Sequence, residues 1–150
     1  MREIHVDRIA EAVREACLEA NYVAGEDVRR AFTVARKREV SPLGQQVLEQ
    51  ILENMAIAEA DRVPMCQDTG TVVVFAEVGQ DVHLVGGGFE EAINRGVHEA
   101  YHVGYLRKSM VERPFTARRN TRDNTPAIIH TRLVPGDRVR LAILAKGGGA

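Results

Sequence analysis

No stretch of this sequence approaches the roughly 20 consecutive apolar residues that a membrane-spanning helix needs, which argues against a helical span. The opening residues, MREIHVDRIAEAVREACLEA, are charged throughout and lack the apolar segment of a secretory signal. Cysteine is scarce. Cys17 and Cys66 are too few for a disulfide framework, and no C-x-x-C pair is present. These absences point to a reducing, cytoplasmic setting. Charge of one sign is missing too: 20 Lys and Arg stand against 21 Asp and Glu, a formal charge of −1. No global field therefore draws the chain to nucleic acid or to a membrane surface. Internal repeats and low-complexity segments are also absent.

What is present is an ordinary globular composition, 45% apolar and 27% charged over 150 residues, enough for one domain with its own core. The first 62 residues read as helices. Ile4, Ile9, Val13, Ala16, Cys17 and Ala20 recur at helical spacing, and a break is expected over Asn21 to Gly25. Val28, Phe32 and Ala35 mark a second helix running to the basic cluster Arg36-Lys37-Arg38. Ser41-Pro42 then starts a third, because serine caps and proline is tolerated in the first turn. Its apolar stripe, from Leu43 to Ala58, ends near Arg62.

The period then changes. Thr71 to Val78 is rich in β-branched residues and reads as a buried strand stopped by Gly79. Gly86-Gly87-Gly88 precedes a helix with Phe89, Ile93, Val97 and Tyr101 on one face. Ala127 to Val134 and Arg138 to Ala145 read as two strands joined by the turn Pro135-Gly136-Asp137, which predicts an antiparallel hairpin. The expected fold class is α+β: N-terminal helices packed on a mixed or antiparallel sheet, all within a single domain over residues 1–150. The last residues, Lys146-Gly147-Gly148-Gly149-Ala150, leave an apolar strand on a glycine loop, so an incomplete domain cut from a longer chain is expected, the alternative being a flexible tail.

Several constellations could carry chemistry. Asp68-Thr69-Gly70 is the triplet of aspartic proteases, in which two carboxylates share a proton. A second copy would have to supply the partner carboxylate, and Met65-Cys66-Gln67 stands where those enzymes have an apolar strand. His98-Glu99-Ala100-Tyr101-His102 matches H-E-x-x-H, two zinc-ligand histidines one helical turn apart with a glutamate base. Gly104 is one position off the extended pattern and no third histidine follows, so two histidines on a half-exposed helix face are the plainer reading. Cys17 reads as a small buried hydrophobe. Cys66, in a loop between helix and strand, reads either as a packing residue or as a ligand for a soft metal or an iron–sulfur cluster. Arg118 to Pro126 reads as a solvated turn or as guanidinium forks for carboxylates. Lys146-Gly147-Gly148-Gly149 offers a cation with close-approach amides, an anion cradle.

Taken in order, three of these stretches resemble one family. Pro64-Met65-Cys66-Gln67-Asp68-Thr69-Gly70 followed by a β-branched strand is similar to the cysteine motif of the class I fumarate hydratases, which group with the L-tartrate dehydratases as iron–sulfur hydro-lyases. Asn120 to His130 resembles that family's N-T-G-D-N-T-P-A-V-I-H, and Lys146 to Gly149 resembles the start of its K-G-G-G-S-E-N loop. The resemblance implies a 4Fe–4S cluster held by three cysteines, with Cys66 as the first. The iron lacking a protein ligand would act as a Lewis acid on the substrate hydroxyl while a base removes the neighbouring proton. It further implies that Gln67 and Asp68 contact a dicarboxylate substrate and that Asp68 is the acid that handles water. Arg107 would bind a substrate carboxylate, and Gly147, Gly148 and Gly149 would line the pocket through backbone amides.

Two departures stand out. Arg122 replaces the glycine of N-T-G-D, and the chain stops before the family's second and third cluster cysteines, for which Cys17 is misplaced. The expectation is the first half of an α subunit, truncated at the K-G-G-G loop and inactive alone. Its partner would be a β subunit or a C-terminal domain of the same enzyme, in a homo- or hetero-oligomer, without nucleic acid or membrane. A non-catalytic folding or assembly module is the alternative, and a hydrolase of the protease or zinc-peptidase kind is a remote one.

Overall fold

The computed structural model describes residues 1–148; Gly149 and Ala150 lie outside them. Eleven elements follow in order: β1 (Arg2–His5), α1 (Val6–Tyr22), α2 (Glu26–Arg38), α3 (Pro42–Asp61), β2 (Thr71–Gly79), β3 (Val82–Val85), α4 (Phe89–Val103), β4 (Val111–Glu112), β5 (Arg119–Asn120), β6 (Ile128–Val134) and β7 (Val139–Lys146). The fold class is α+β, as composition and period lead one to expect. The chain divides into two compact units. One comprises residues 1–20 with Gln67 onward, and the other is Asn21–Cys66.

The smaller unit is the pair α2 and α3. Ser41 caps α3, its hydroxyl accepting from Gly44 N at 3.3 Å, and Pro42 opens the first turn where its missing N–H costs nothing. Arg62 closes the helix at φ 54°, and its guanidinium lies 4.9 Å over the Tyr22 ring. Arg36 pairs with Glu49 at 2.8 Å, and Arg29 pairs with Glu59. Exposed pairs of this kind contribute little, so Met55 and Ala58, the buried residues of α3, carry the packing. Beyond α3 the chain is tied down twice at Met65: its N–H donates to Asn21 O at 3.0 Å, and its carbonyl accepts from Asn54 Nδ2 at 2.9 Å.

In the larger unit β2 lies at the centre of a three-stranded sheet, with β6 parallel on one side and β7 antiparallel on the other. Val72, Val74, Ala76 and Val78 are buried on one face, whereas Phe75 on the opposite face is 49% exposed and stacks on His130. The β-branched run therefore reads correctly as a core strand. α1 and α4 pack closely at Gly96, where a Cβ would come within 2.4 Å of Ala10 O. Ile93, Val97 and Tyr101 of α4 are fully buried, the face the helical spacing predicts.

Two expectations are corrected. β6 and β7 do not form a hairpin with each other, because β2 is inserted between them. Their connection must span two strand spacings, about 9.6 Å, which three or four extended residues reach. It crosses the end of β2 with Gly79 N donating to Arg138 O, Gln80 N to Val134 O and Asp81 N to Gly136 O. Gly79 makes the crossing possible, since a Cβ there would lie 2.3 Å from Gly136 O. Secondly, Arg2–His5 is a strand, not the start of the first helix. It pairs in parallel with β3, a strand that local pattern does not signal, so its conformation is set by a partner far along the chain.

Candidate functional site

The site grows from the tight turn before β2. Gln67 and Asp68 are exposed, while Thr69 and Gly70 are buried. Gly70 sits at φ 67°, and a Cβ there would lie 2.1 Å from the carbonyl oxygen of Lys146, so only glycine fits. The Asp68 carboxylate is held on both oxygens. Oδ1 accepts from Gly70 N at 3.2 Å and Oδ2 from Gly148 N at 2.9 Å. The second bond exists because β7 pairs Lys146 opposite Thr71 and so delivers the following glycines to the turn. A Cβ on Gly147 would approach Asp68 Oδ2 to 2.9 Å, tighter than side chains allow.

A third segment joins them. Thr69 Oγ donates to the Arg107 carbonyl at 2.9 Å, which places the exposed Arg107 beside the Asp68 turn. Tyr101 Oη donates to Thr69 O at 2.5 Å and approaches Gly70 O at 3.4 Å. Asn124, fully buried, accepts at Oδ1 from Ser109 N (2.8 Å) and Met110 N (3.2 Å) and donates from Nδ2 to Gly70 O at 2.9 Å. Three separate loops are thus pinned together, with the Asp68 carboxylate and its amide donors beside the backbone of the exposed Arg107. Such a surface presents a fixed carboxylate that can take up or release a proton at Asp68.

Of the residues singled out from sequence, Asp68, Gly147 and Gly148 meet directly, Arg107 is attached through its backbone, and Gln67 is adjacent and exposed. Gly149 lies outside the described residues. Cys66 is exposed and ends the smaller unit, and at Gln67 the chain returns to the larger one. Tyr101, Thr69 and Asn124 are the structural pins that pattern reading passed over. Tyr101 looks like one more apolar face residue, and Asn124 like a turn former, although it lies inside the most distinctive motif.

The remaining constellations resolve differently. On α4 the His98 and His102 rings stack side by side at 6.4 Å and 8° rather than converging on a point. His98 Nδ1 lies 3.6 Å from Asp123 Oδ2. Burial works against ionisation of Asp123, but hydrogen bonds from the Thr125 amide and hydroxyl, with Thr121 and His98, outweigh it and hold this carboxyl below its usual range. Among the described residues no three His, Cys, Asp or Glu side chains gather in a metal-binding group. A cluster with three thiolate ligands does not fit the described residues by themselves. Cys17 is buried in α1, where desolvation pushes its thiol up to about 12, leaving Cys66 as the accessible thiol. Arg122 sits at φ 67°, a backbone conformation that favours glycine, which explains why glycine is usual at this place in the resembling motif.

An α+β chain in which glycine-loop amides clamp an exposed carboxylate beside the Arg107 backbone presents a candidate site on its larger unit. Comparison with known proteins gives the particular family. The profile described as "Fumarate hydratase (Fumerase)" matches residues 10–150, and the chain belongs to that family. It is 39% identical over 119 residues to "Fumarate hydratase class I, aerobic" of Escherichia coli (strain K12), covering 78% of this chain and 21% of that protein. It is 36% identical over 123 residues to "Putative L(+)-tartrate dehydratase subunit alpha" of Methanocaldococcus jannaschii, 78% of this chain and 41% of that one. "Fumarate hydratase 2" of Leishmania major is 34% identical over 113 residues, 75% of this chain and 20% of the relative. The chain therefore spans only a fifth to two fifths of the length of these relatives.

Proposed function

We propose that this chain is the N-terminal part of an iron–sulfur hydro-lyase α subunit that reversibly hydrates or dehydrates a hydroxy-dicarboxylic acid of the malate/fumarate kind. One observation carries the reading: Asp68, the Gly147-Gly148 backbone and the Arg107 loop converge in a chain of the fumarate hydratase family. Arg107 binds a substrate carboxylate, the Gly147-Gly148 backbone lines the pocket, Gln67 orients the substrate, and Asp68 exchanges a proton with the departing or entering water. Fixed donors on both Asp68 oxygens hold the carboxylate in place, so little reorganisation accompanies the transfer.

Cys66 would be the first of three cysteines holding a cluster in the whole enzyme, where the cluster would supply Lewis-acid polarisation of the substrate hydroxyl. With Cys66 the only accessible thiol among the described residues, the other two ligands come from a further part of the enzyme, and residues 1–150 alone are inactive. The partner is a β subunit or C-terminal domain, as the "subunit alpha" in one relative's name suggests, and the assembly works in the cytoplasm. The test is anaerobic assembly of this chain with the rest of the enzyme, followed by an assay of fumarate consumption. Hydration that is lost together with iron in Cys66→Ser is expected. An iron content unchanged by Cys66→Ser overturns the ligand role, and absence of any hydro-lyase activity overturns the function.

A further inference from the structure

Asn124 is fully buried, and each of its three hydrogen bonds ends on backbone of a segment that carries the site. A buried amide is tolerated only when its polar atoms are satisfied, and here they are. None of these bonds supports a core strand interior. Two hold Ser109 and Met110, directly after Arg107 and Lys108, and one holds the Gly70 carbonyl. Gly70 matters because its N–H donates to Asp68 Oδ1. Tyr101 grips the peptide unit before Gly70 and Asn124 grips the one after it, so the rotation that aims the Gly70 N–H is set from both sides. Asn124 itself lies at φ 63°, a conformation that asparagine accepts far more readily than most residues.

We propose that Asn124 is a positioning residue: it fixes the Asp68 carboxylate relative to the Arg107 loop by clamping Gly70 on one side and the Ser109–Met110 amides on the other. It touches no substrate. The part of the claim that concerns catalysis rests on the function proposed above, whereas the geometric part stands without it. The two bonding halves of the amide are separable. Asn124→Asp is nearly isosteric, keeps an acceptor for Ser109 and Met110, and when ionised has no donor for Gly70.

The experiment is amide hydrogen exchange and nitrogen–proton NMR on this 150-residue chain and two variants. In Asn124→Asp the Gly70 and Gly148 resonances shift and their exchange speeds up about tenfold or more, while Ser109 and Met110 stay protected. In Asn124→Ala all four lose protection relative to Val74 and Ile143 of the central sheet. Equal loss across these sheet amides and the four loop amides marks a merely structural role and overturns the proposal. So do Gly70 and Gly148 signals unchanged in Asn124→Asp across a pH series that ionises the new carboxyl. Should both variants unfold, the wild-type Asn124 side-chain amide decides: exchange markedly slower than that of exposed Asn120 is expected, and exchange as fast as Asn120 refutes the clamp. In the assembled enzyme, Asn124→Asp lowers kcat about 100-fold with KM changed less than about threefold, as misplacement of a reacting group does. An enzyme inactive with native Asn124 would sink the proposed function and leave the NMR result standing.

Discussion

Gly70→Ala is the sharpest perturbation of this site. Two penalties combine there. The backbone sits at φ 67°, where an L side chain costs about 1–2 kcal/mol. The new methyl would also lie 2.1 Å from Lys146 O and 2.7 Å from Gly147 N, so the end of β7 must retreat by roughly an ångström to reach contact distance. That movement breaks the Thr71–Lys146 pairing and weakens the Gly148–Asp68 bond, at about 1 kcal/mol for each hydrogen bond lost. The sum is about 2–4 kcal/mol, a drop in Tm of roughly 4–16 °C for a chain of this size. Gly136→Ala tests positive φ without a clash, because Gly136 sits at φ 104°, beyond the left-handed α region, and a Cβ there would meet nothing within 4 Å. It carries the conformational penalty alone. Urea titration followed by circular dichroism measures both. A Gly70→Ala cost no larger than the conformational penalty of about 1–2 kcal/mol would refute the claim that the glycine loop is packed against the Asp68 turn.

Other consequences can be checked with simple measurements. Arg122→Gly relieves a left-handed arginine and is expected to raise stability by about 0.5–1 kcal/mol after the glycine's entropy cost; a loss would show that the arginine side chain holds the turn. Cys66 should react with a thiol reagent at about pH 8 while Cys17, its thiol pushed up to about 12 by burial, reacts only on unfolding. Equal labelling rates in the folded protein contradict the burial of Cys17. Asp123 titrates lower folded than its ordinary value of 3.8, so its contribution to stability is complete above that pH and disappears as pH falls through the folded value. The stability gap between the native chain and Asp123→Ala should accordingly narrow below about pH 4; a gap that widens there means the sign is wrong.

Much of the helical half was legible because its signals are local. Ser41-Pro42 marks a start and Arg62 a stop through groups within one turn, and the α4 stripe needs only its own spacing. Cys66, Asp68 and the glycines stand out through motif order, and the structure joins Asp68 to Gly147 and Gly148. The strand partners were not legible. Pro135-Gly136-Asp137 has the composition of a hairpin turn, yet the same residues bridge two strands with a third between them, and nothing local distinguishes the cases. Asn124 and Tyr101 escaped notice for a related reason: their role lies in hydrogen bonds to residues 54 and 31–32 positions away.

The sequence by itself determined the α+β class, the limits of the second, third and fourth helices, the core character of β2 and the family-like motifs, because each depends on residues within a few turns of one another. Tertiary structure alone decided that β2 separates β6 from β7, that Arg2–His5 is a strand, and that three loops meet around Asp68. Those outcomes depend on which distant backbones share hydrogen bonds and on where a missing Cβ lets them approach, as at Gly70 and Gly79. No periodicity along the chain records either.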